Sequence, residues 1–272
     1  MPKSLPEYAN PPVIEVVSGV GFTPLEGFKA IHVGLLWNAF RDQFPRVEEH
    51  SPLVMPLEVL DVPVVQVGEV QFSDTPPLPR VWFVDASGNG IVQVQRDALL
   101  HNWRKLKDGD TYPRFDVVIS EFREHFSLLT KFVEHHQLGA ILPLQYELNY
   151  VNHIFPNEYW GQGKVLNNIF PDFQWRQEGR SFLPREYEVV NWKTVVRLPN
   201  GAGRLHITIQ TAFKLPERSP VLVLEMKARG IAADRSVDSV WRWFDLAHEW
   251  IVRGFADITD TKIQQKLWGF KL

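Results

Sequence analysis

One strand-and-helix pattern runs through this chain twice, and it constrains the fold more than any other feature. From Val13 an apolar strand leads into an amphipathic helix, several strands joined by turn residues, and a long helix after Tyr112-Pro113. The order begins again at Leu144 with a strand, continues through three more strands, and ends in a long helix after Ser236. A repeated topology predicts two modules with a shared sheet or core, and it places any functional surface at their seam.

We therefore predict an α+β protein of two similar halves, each a largely antiparallel sheet with a long helix packed on one face. The pseudo-duplicated halves are residues 1–140 and 141–272, which form one compact unit around a shared core. The alternative is one continuous sheet that curves around the final helix. Strands are predicted over residues 13–22, 64–72, 81–86, 145–154, 186–198, 204–215 and 221–230, and helices over residues 27–44, 114–136 and 236–258.

Three segments of the first half have more specific patterns. The first helix has a predicted inward stripe of Phe28, Ile31, Leu35 and Ala39, which Leu36 and Phe40 widen. Residues 48–63 contain Pro52, Pro56 and Pro63, which predict irregular or edge-strand structure because proline cannot donate to a ladder. Residues 97–107 fit either a short helix or a strand.

Composition limits the class of protein. A hydrophobic content of 44% and an aromatic content of 12% are enough to build a sizeable core. The absence of cysteine excludes disulfides, thiolate zinc sites and cysteine nucleophiles, and is compatible with a reducing compartment. Without a signal-peptide pattern or an apolar run of roughly 20 residues, we expect a soluble cytoplasmic protein with no membrane partner. A net charge of −3 argues against a main role in neutralising phosphates.

Familiar chemical motifs are missing from the sequence. It contains no phosphate-binding GxxxxGK loop, dinucleotide fingerprint, nucleophile elbow or HExxH pair, so catalytic residues stay unassigned and we expect no cofactor or metal. Glu121 and His125 lie one helical turn apart and could share a metal, but a solvated helix face is favoured. His248 is interpreted as a hydrogen-bonded histidine beside the core.

Polar residues of the second half alternate along three predicted strands. One face carries Gln145, Glu147 and Asn149 on the first strand, Arg204, His206, Thr208 and Gln210 on another, and Glu225, Lys227 and Arg229 on a third. If these faces coincide, they form one surface opposite the helices that is suited to a small polar ligand, a nucleic acid or a protein. An ordinary sheet face in water is the favoured interpretation.

Basic and aromatic residues in the second half suggest further surfaces. Residues 174–235 carry Arg176, Arg180, Arg185, Lys193, Arg197, Arg204, Lys214, Arg218, Lys227, Arg229 and Arg235. Acidic residues dilute this charge and no known nucleic-acid module accompanies it, so a solvated surface is favoured. Trp241, Trp243 and Trp250 lie partly off the inward stripe of the last helix, which predicts either a partner interface or burial between the halves.

Several segments together resemble a sporadically distributed family of uncharacterised prokaryotic proteins of about this length. They are the opening Asn10-Pro11-Pro12-Val13-Ile14-Glu15-Val16-Val17, Asn102-Trp103-Arg104 with Tyr112-Pro113, the strand from Glu147 to Asn152, and Ala247-His248-Glu249 with Trp268-Gly269. The resemblance covers nearly the whole chain and implies no catalytic residues. The family's patchy distribution is similar to that of accessory genes for defence, toxin control or mobile elements.

The leading hypothesis is a non-catalytic cytoplasmic binding protein, an accessory or regulatory partner in a prokaryotic defence or toxin-control system. We expect a protein partner first, and strand edges also favour a homodimer. The second hypothesis is a module that holds a nucleotide or other small anion on Arg204, His206, Lys227 and Arg229; a nucleic acid also ranks below a protein. The third is an enzyme without a familiar motif, with Glu147 or His206 as acid or base.

Overall fold

The computed structural model describes residues 4–60, 78–161, 166–175, 178–179, 181–184, 187–232, 234 and 236–271. Its strands are β1 (Glu7–Tyr8), β2 (Val13–Phe22), β3 (Arg46–His50), β4 (Arg80–Val84), β5 (Gly90–Val94), β6 (Ala98–Arg104), β7 (Pro143–Ile154), β8 (Asn191–Arg197), β9 (Arg204–Lys214), β10 (Ser219–Gly230) and β11 (Phe270–Lys271). Its α-helices are α1 (Ala30–Phe40), α2 (Phe115–His135), α3 (Val237–Ile258) and α4 (Thr261–Trp268). The predicted strand at 64–72 lies outside the described residues, as do Arg176, Arg180, Arg185 and Arg235.

Nine of the strands form one antiparallel sheet in the order β3-β4-β5-β6-β2-β7-β10-β9-β8. The two strands that open the predicted halves, β2 and β7, are neighbours at its centre, where Val16 lies opposite Tyr150. The predicted α+β class and antiparallel pairing are therefore confirmed. Of the two arrangements that the sequence left open, the structure has one continuous sheet, because backbone pairing continues directly from β2 into β7.

Three helices cover one face of this sheet. α2 packs on β2 and β6, α3 packs on β7, β9 and β10, and α1 packs on β4 and α2. Alternation along β7 points Tyr146, Leu148 and Tyr150 toward the helices, and all three are buried. Phe122 of α2 contacts Phe244 of α3 with ring centroids 5.5 Å apart, so one core continues beneath both helices. Among the described residues, no helix combines the length and apolar character that a bilayer crossing requires.

The inward side of α1 differs from the predicted stripe. Ile31 is 71% exposed and Leu35 is 46% exposed, whereas Leu36 and Phe40 are buried. Phe28 is also buried, but it lies before the first residue of α1 and so does not share the period of the helix. Counting Phe28 as helical rotated the predicted stripe away from the true core-facing side.

Residues 97–107, which fit either a helix or a strand, contain β6 (Ala98–Arg104). This strand pairs with β5 on one side and β2 on the other. The adjacent residues Leu99 and Leu100 of β6 are both buried, although their side chains point to opposite faces of the sheet. A strand covered on both faces lacks polar alternation, and this explains the ambiguity of the sequence pattern.

Residues 51–60, called the strap below, cross the sheet face opposite the helices. They follow β3 and form no helix or strand, as the prolines predict. The strap hydrogen-bonds to Gln95 just after β5, and its Glu58 contacts Gln145 of β7 and Arg204 of β9. It therefore covers part of the face on which the sequence predicts ligand-binding residues.

Candidate functional site

A cavity of about 730 Å³ opens on the helix side of the sheet, where distant segments of the chain meet. Its floor includes Tyr150 and Asn152 of β7. Residues 112–116 at the start of α2 form one wall, part of α3 between residues 245 and 255 forms another, and residues 5–13 close a third side. Sites for small molecules in proteins commonly have volumes of roughly 300–1,000 Å³. The cavity is thus large enough for a metabolite-sized ligand.

A pair of stacked rings joins the two helical walls. The Phe115 and His248 rings lie 3.9 Å apart with an angle of 5° between their planes. Burial lowers the pKa of His248 to about 4, although Asp116 and Glu249 favour the charged form, so this imidazole is neutral at pH 7. The sequence predicts a hydrogen-bonded histidine beside the core. The structure shows a ring stack at the wall of the cavity instead.

Two tyrosine hydroxyls meet at the floor of the cavity. The oxygens of Tyr112 and Tyr150 are 2.8 Å apart, which is a hydrogen bond in which either can donate. Burial raises the pKa of both residues, so both hydroxyls are protonated at neutral pH. One bond uses only one of the two protons, and neither hydroxyl has another hydrogen-bond partner among the described residues. One donor is left for a molecule in the cavity.

Carboxylates outnumber guanidinium groups around the cavity. The acidic lining residues are Glu7, Asp116, Asp245 and Glu249, and the basic ones are Arg114 and Arg253. Arg253 donates to Glu249 at 2.8 Å, whereas Asp116 and Asp245 form no hydrogen bond or ion pair with any described residue. Burial raises the pKa of Asp245; Arg123 opposes this effect and Asp116 adds to it. Four carboxylates against two guanidinium groups favour a neutral or positively charged ligand over an anion.

The backbone of Arg114 has an unusual conformation at the wall of the cavity. Its φ is 79°, a region that few residues other than glycine occupy. Its guanidinium donates to the Tyr8 carbonyl oxygen at 2.9 Å and so ties the start of α2 to the N-terminal segment. Residues with such rare backbone dihedral angles persist only where the surrounding structure holds them, and they are frequent at ligand-binding sites.

The polar residues predicted on the second half of the sheet share one face. The register places Lys227 beside Asn149 of β7 on one side and His206 of β9 on the other. The shared face carries Gln145, Glu147, Asn149, Arg204, His206, Thr208, Gln210, Glu225, Lys227 and Arg229. Gln210 is exposed and Thr208 half-buried. Because β7 points Tyr150 to the opposite face, this polar face and the cavity are separate sites.

The cations of the polar face have carboxylate partners within the chain. Arg229 donates to Glu147 at 2.9 Å and 2.6 Å through two nitrogens. Lys227 lies 3.0 Å from Glu225. These contacts neutralise two of the cations that the sequence offers to an anionic ligand. Glu147, a sequence candidate for an acid or base, is held in an ion pair outside the cavity.

Glu58 of the strap occupies the remaining cationic position of the polar face. Arg204 donates to one of its oxygens at 2.6 Å, and His206 contacts the other at 2.9 Å. Burial alone would raise the pKa of Glu58, but these two hydrogen bonds outweigh it and hold the pKa below its usual value. Burial lowers the pKa of His206, so a neutral imidazole donates its Nε2 hydrogen to the charged carboxylate. No local pattern could connect residue 58 with β9.

The three predicted partner-binding tryptophans occupy different environments. Trp243 is only 3% exposed and donates its indole hydrogen to the Ala202 carbonyl at 2.8 Å. It is buried in the core between α3 and the sheet, which is the second of the two alternatives that the sequence left open. Trp241 and Trp250 are half-buried, and Trp241 lies under the Arg123 guanidinium at 4.9 Å from the ring centroid.

The predicted solvated face of α2 includes one buried histidine. His125 is 4% exposed and lies against the His101 ring, with centroids 4.9 Å apart. Glu121 lies 3.2 Å from His101 Nε2, in a direction that makes no hydrogen bond, instead of sharing a metal with His125. Within the described part of the chain, no group of three or more acidic, histidine or cysteine residues could hold a metal ion.

No protein-family model, curated protein or solved structure matches the chain.

The sequence pattern did not reveal the cavity, because its walls come from three segments that are far apart in the chain, at residues 5–13, 112–116 and 245–255. The segments singled out above, at residues 10–17, 112–113, 147–152 and 247–249, contribute to its lining. Pro11-Pro12-Val13, Tyr112, Tyr150 with Asn152, and His248-Glu249 all line this one cavity. Their convergence makes the cavity, rather than the polar face, the principal candidate site.

Proposed function

We propose that the protein is a non-catalytic binding protein that holds a small polar molecule, neutral or positively charged, in the cavity between α2 and α3. One observation carries the proposal: the joined hydroxyls of Tyr112 and Tyr150, with one proton not used between them, line the same cavity as the carboxylates of Asp116 and Asp245, which form no hydrogen bond with any described residue. The hydroxyl donor would bind an acceptor atom of the ligand, and the carboxylates would bind an amine. The stacked rings of α2 and α3 provide an apolar surface beside them.

Binding is tested by thermal unfolding of the full chain with a panel of polyamines, amino sugars, nucleosides and nucleotides. We expect an amine or a nucleoside to raise the melting temperature, because a ligand at 100 times its Kd adds about 2.7 kcal/mol to stability. Asp245→Asn and Tyr112→Phe should each weaken that binding about tenfold, since each removes a hydrogen bond to a polar ligand. Asp108→Asn, which changes an exposed loop residue, is the matched control.

Three outcomes would count against this proposal. One is a panel in which no compound raises the melting temperature. Another is a ligand that binds Asp245→Asn and Tyr112→Phe as tightly as the wild-type chain. Selective stabilisation by nucleotides would support the anion-binding alternative instead.

We also propose that the two halves are copies of one topology. In each half the first strand lies at the centre of the sheet and the last strand pairs with it, and the earlier strands continue outward. The order is β6-β5-β4-β3 beside β2 and β10-β9-β8 beside β7, and each of these halves continues into a long helix. This symmetry supports a site at the seam, since the cavity lies between the helices of the two halves.

We propose further that the protein acts in the cytoplasm as an accessory or regulatory partner in prokaryotic defence or toxin control. The family resemblance is the support for this role. A tagged pull-down from the native host, with mass spectrometry of proteins, nucleic acids and small molecules, tests it. A stoichiometric protein partner is expected, and a bound small molecule without any protein partner would remove the regulatory-partner role while leaving the cavity proposal intact.

A further inference from the structure

We infer that the sheet face opposite the helices is a groove for an extended peptide of a partner protein, and that the strap occupies this groove in the isolated chain. The peptide would carry an unbranched or aliphatic apolar side chain, followed three residues later by a carboxylate. In the strap these two anchors are Met55 and Glu58. This inference concerns a different face from the cavity and does not depend on the proposed function.

Two glutamines, Gln95 just after β5 and Gln145 in β7, bind the backbone of the strap. Gln95 accepts from the Leu53 amide at 2.5 Å and donates to the carbonyl of the same residue at 3.0 Å. Gln145 accepts from the Glu58 amide at 2.7 Å and donates to the Pro56 carbonyl at 3.1 Å. Gln95 is 7% exposed and Gln145 is 1% exposed. A buried amide that satisfies both an N–H and a C=O recognises an extended backbone whatever its side chains are.

The apolar anchor packs on the sheet beside Gly21 of β2. Met55 packs on the buried group of Val17, Ala98 and Leu100. Its sulfur lies 3.4 Å from the position that a Cβ on Gly21 would occupy. A Cβ at that position would make an ordinary van der Waals contact with Met55, so β2 leaves room here for a flexible thioether or leucine side chain.

The acidic anchor enters a socket on β9. Glu58 places its two oxygens on Arg204 and His206, and its side chain is only 6% exposed. Arg204 also donates to the carbonyls of Val59 and Leu60 at 3.0 Å each. The socket therefore selects a carboxylate and fixes the direction of the backbone that follows it.

Few side chains hold the strap in place. Val54, Leu57 and Val59 are each more than half exposed, so these apolar side chains contribute little burial. The strap also lacks helical or strand pairing of its own. A partner segment that offers the same two anchors and buries more apolar surface could replace it without change to the core.

The experiment uses a fluorescent peptide with the sequence of residues 51–60. Binding is measured as the rise in the fluorescence polarisation of the peptide when the full-length protein is added. Weakening the strap with Met55→Ala and Glu58→Gln should expose the groove, while the amide introduced by the second change keeps a hydrogen-bonding group in the socket. We expect this double variant to bind the peptide at least about tenfold more tightly than the wild-type chain. A peptide with the Glu58→Gln change should bind the variant about tenfold more weakly, because a charge-assisted contact is lost. Glu49→Gln, at an exposed position of β3, is the control for charge alone.

A folded double variant that binds the peptide no better than the wild-type chain would overturn the inference, and so would binding that ignores the acidic anchor. Circular dichroism establishes that the variant is folded. If the double variant is not folded, the single variant Glu58→Gln is used instead. It too must bind the peptide more tightly than the wild-type chain does, and must bind the peptide with the Glu58→Gln change more weakly. Adding Arg204→Met to the variant should abolish binding, and retained affinity there would show that the peptide binds elsewhere.

Discussion

His125 is a buried imidazole on the inner side of α2, against the rings of Phe40 and Phe44. Burial lowers its pKa to about 3, and nearby His101 contributes to the shift. The folded chain therefore binds fewer protons than the unfolded chain, whose histidine titrates near 6.5. The stability from this residue is fully present above pH of about 6.5. It is lost at up to about 1.4 kcal/mol per pH unit as the pH falls toward 3.

The replacement His125→Leu should remove this contribution. Urea unfolding at several pH values between 7 and 4 measures the free energy of unfolding of both chains. We expect the wild-type curve to fall more steeply with decreasing pH, by about 1.4 kcal/mol per unit, because only the wild type must protonate a buried ring. Parallel curves would mean that the imidazole is already accessible to protons in the folded state.

The pair of Arg204 with Glu58 yields a second prediction at the same scale. Their side chains are 8% and 6% exposed, so removing one partner leaves the other charge buried. Arg204→Met should therefore lower the free energy of unfolding by about 3 kcal/mol. Adding Glu58→Met should recover much of that loss, since an apolar pair can replace a buried ion pair. A double variant no more stable than Arg204→Met would show that the pair is not the source of the effect.

Gly203 and Gly230 bring the start of β9 against the end of β10. A Cβ on Gly230 would overlap the Ala202 carbonyl oxygen, and one on Gly203 would overlap the Arg229 carbonyl oxygen. Backbone atoms cannot rotate away, so Gly230→Ala must separate the strands. We expect thermal or urea unfolding to show a loss of about 2–3 kcal/mol. Gly109→Ala, where nothing lies within 4 Å of the added carbon, should change stability little, and equal effects of the two would refute this reason.

The elements that the sequence predicted well are those with an uninterrupted period. α2 and α3 begin and end within about a residue of the predicted bounds, because their apolar positions repeat at helical spacing over many turns. The predicted inward side of α1 was wrong because Phe28, which lies before the helix, appeared to continue its period. The pattern of residues 97–107 was ambiguous because both faces of β6 are covered. The contacts of the strap and the cavity join residues far apart in the chain, such as Phe115 with His248, and no local period encodes them.

At the scale of the whole molecule, the central pair of β2 and β7 removes any boundary between the halves. Nine residue pairs join β7 to β10 on one side of the centre, and β2 pairs with β7 on the other. The buried core contains residues of both halves beneath α2 and α3. The sequence pattern predicted the shared core but could not show that the sheet is single, because strand order depends on pairing between distant segments.

A continuous sheet over one core predicts that the chain unfolds in a single cooperative transition despite its two halves. Tryptophan fluorescence and far-ultraviolet circular dichroism should give the same midpoint in urea, since no part of the sheet can separate without breaking the β2–β7 pair. Phe122→Ala, in the first half, should lower stability by about 3–5 kcal/mol and move that one midpoint, because Phe122 is fully buried against α3. Phe213→Ala is the control, because it makes the same substitution at a residue of β9 that is 68% exposed, and it should leave the midpoint nearly unchanged. If Phe122→Ala instead splits the curve in two, with the second transition at the wild-type midpoint, the halves fold separately and the central strand pair is too weak to couple them.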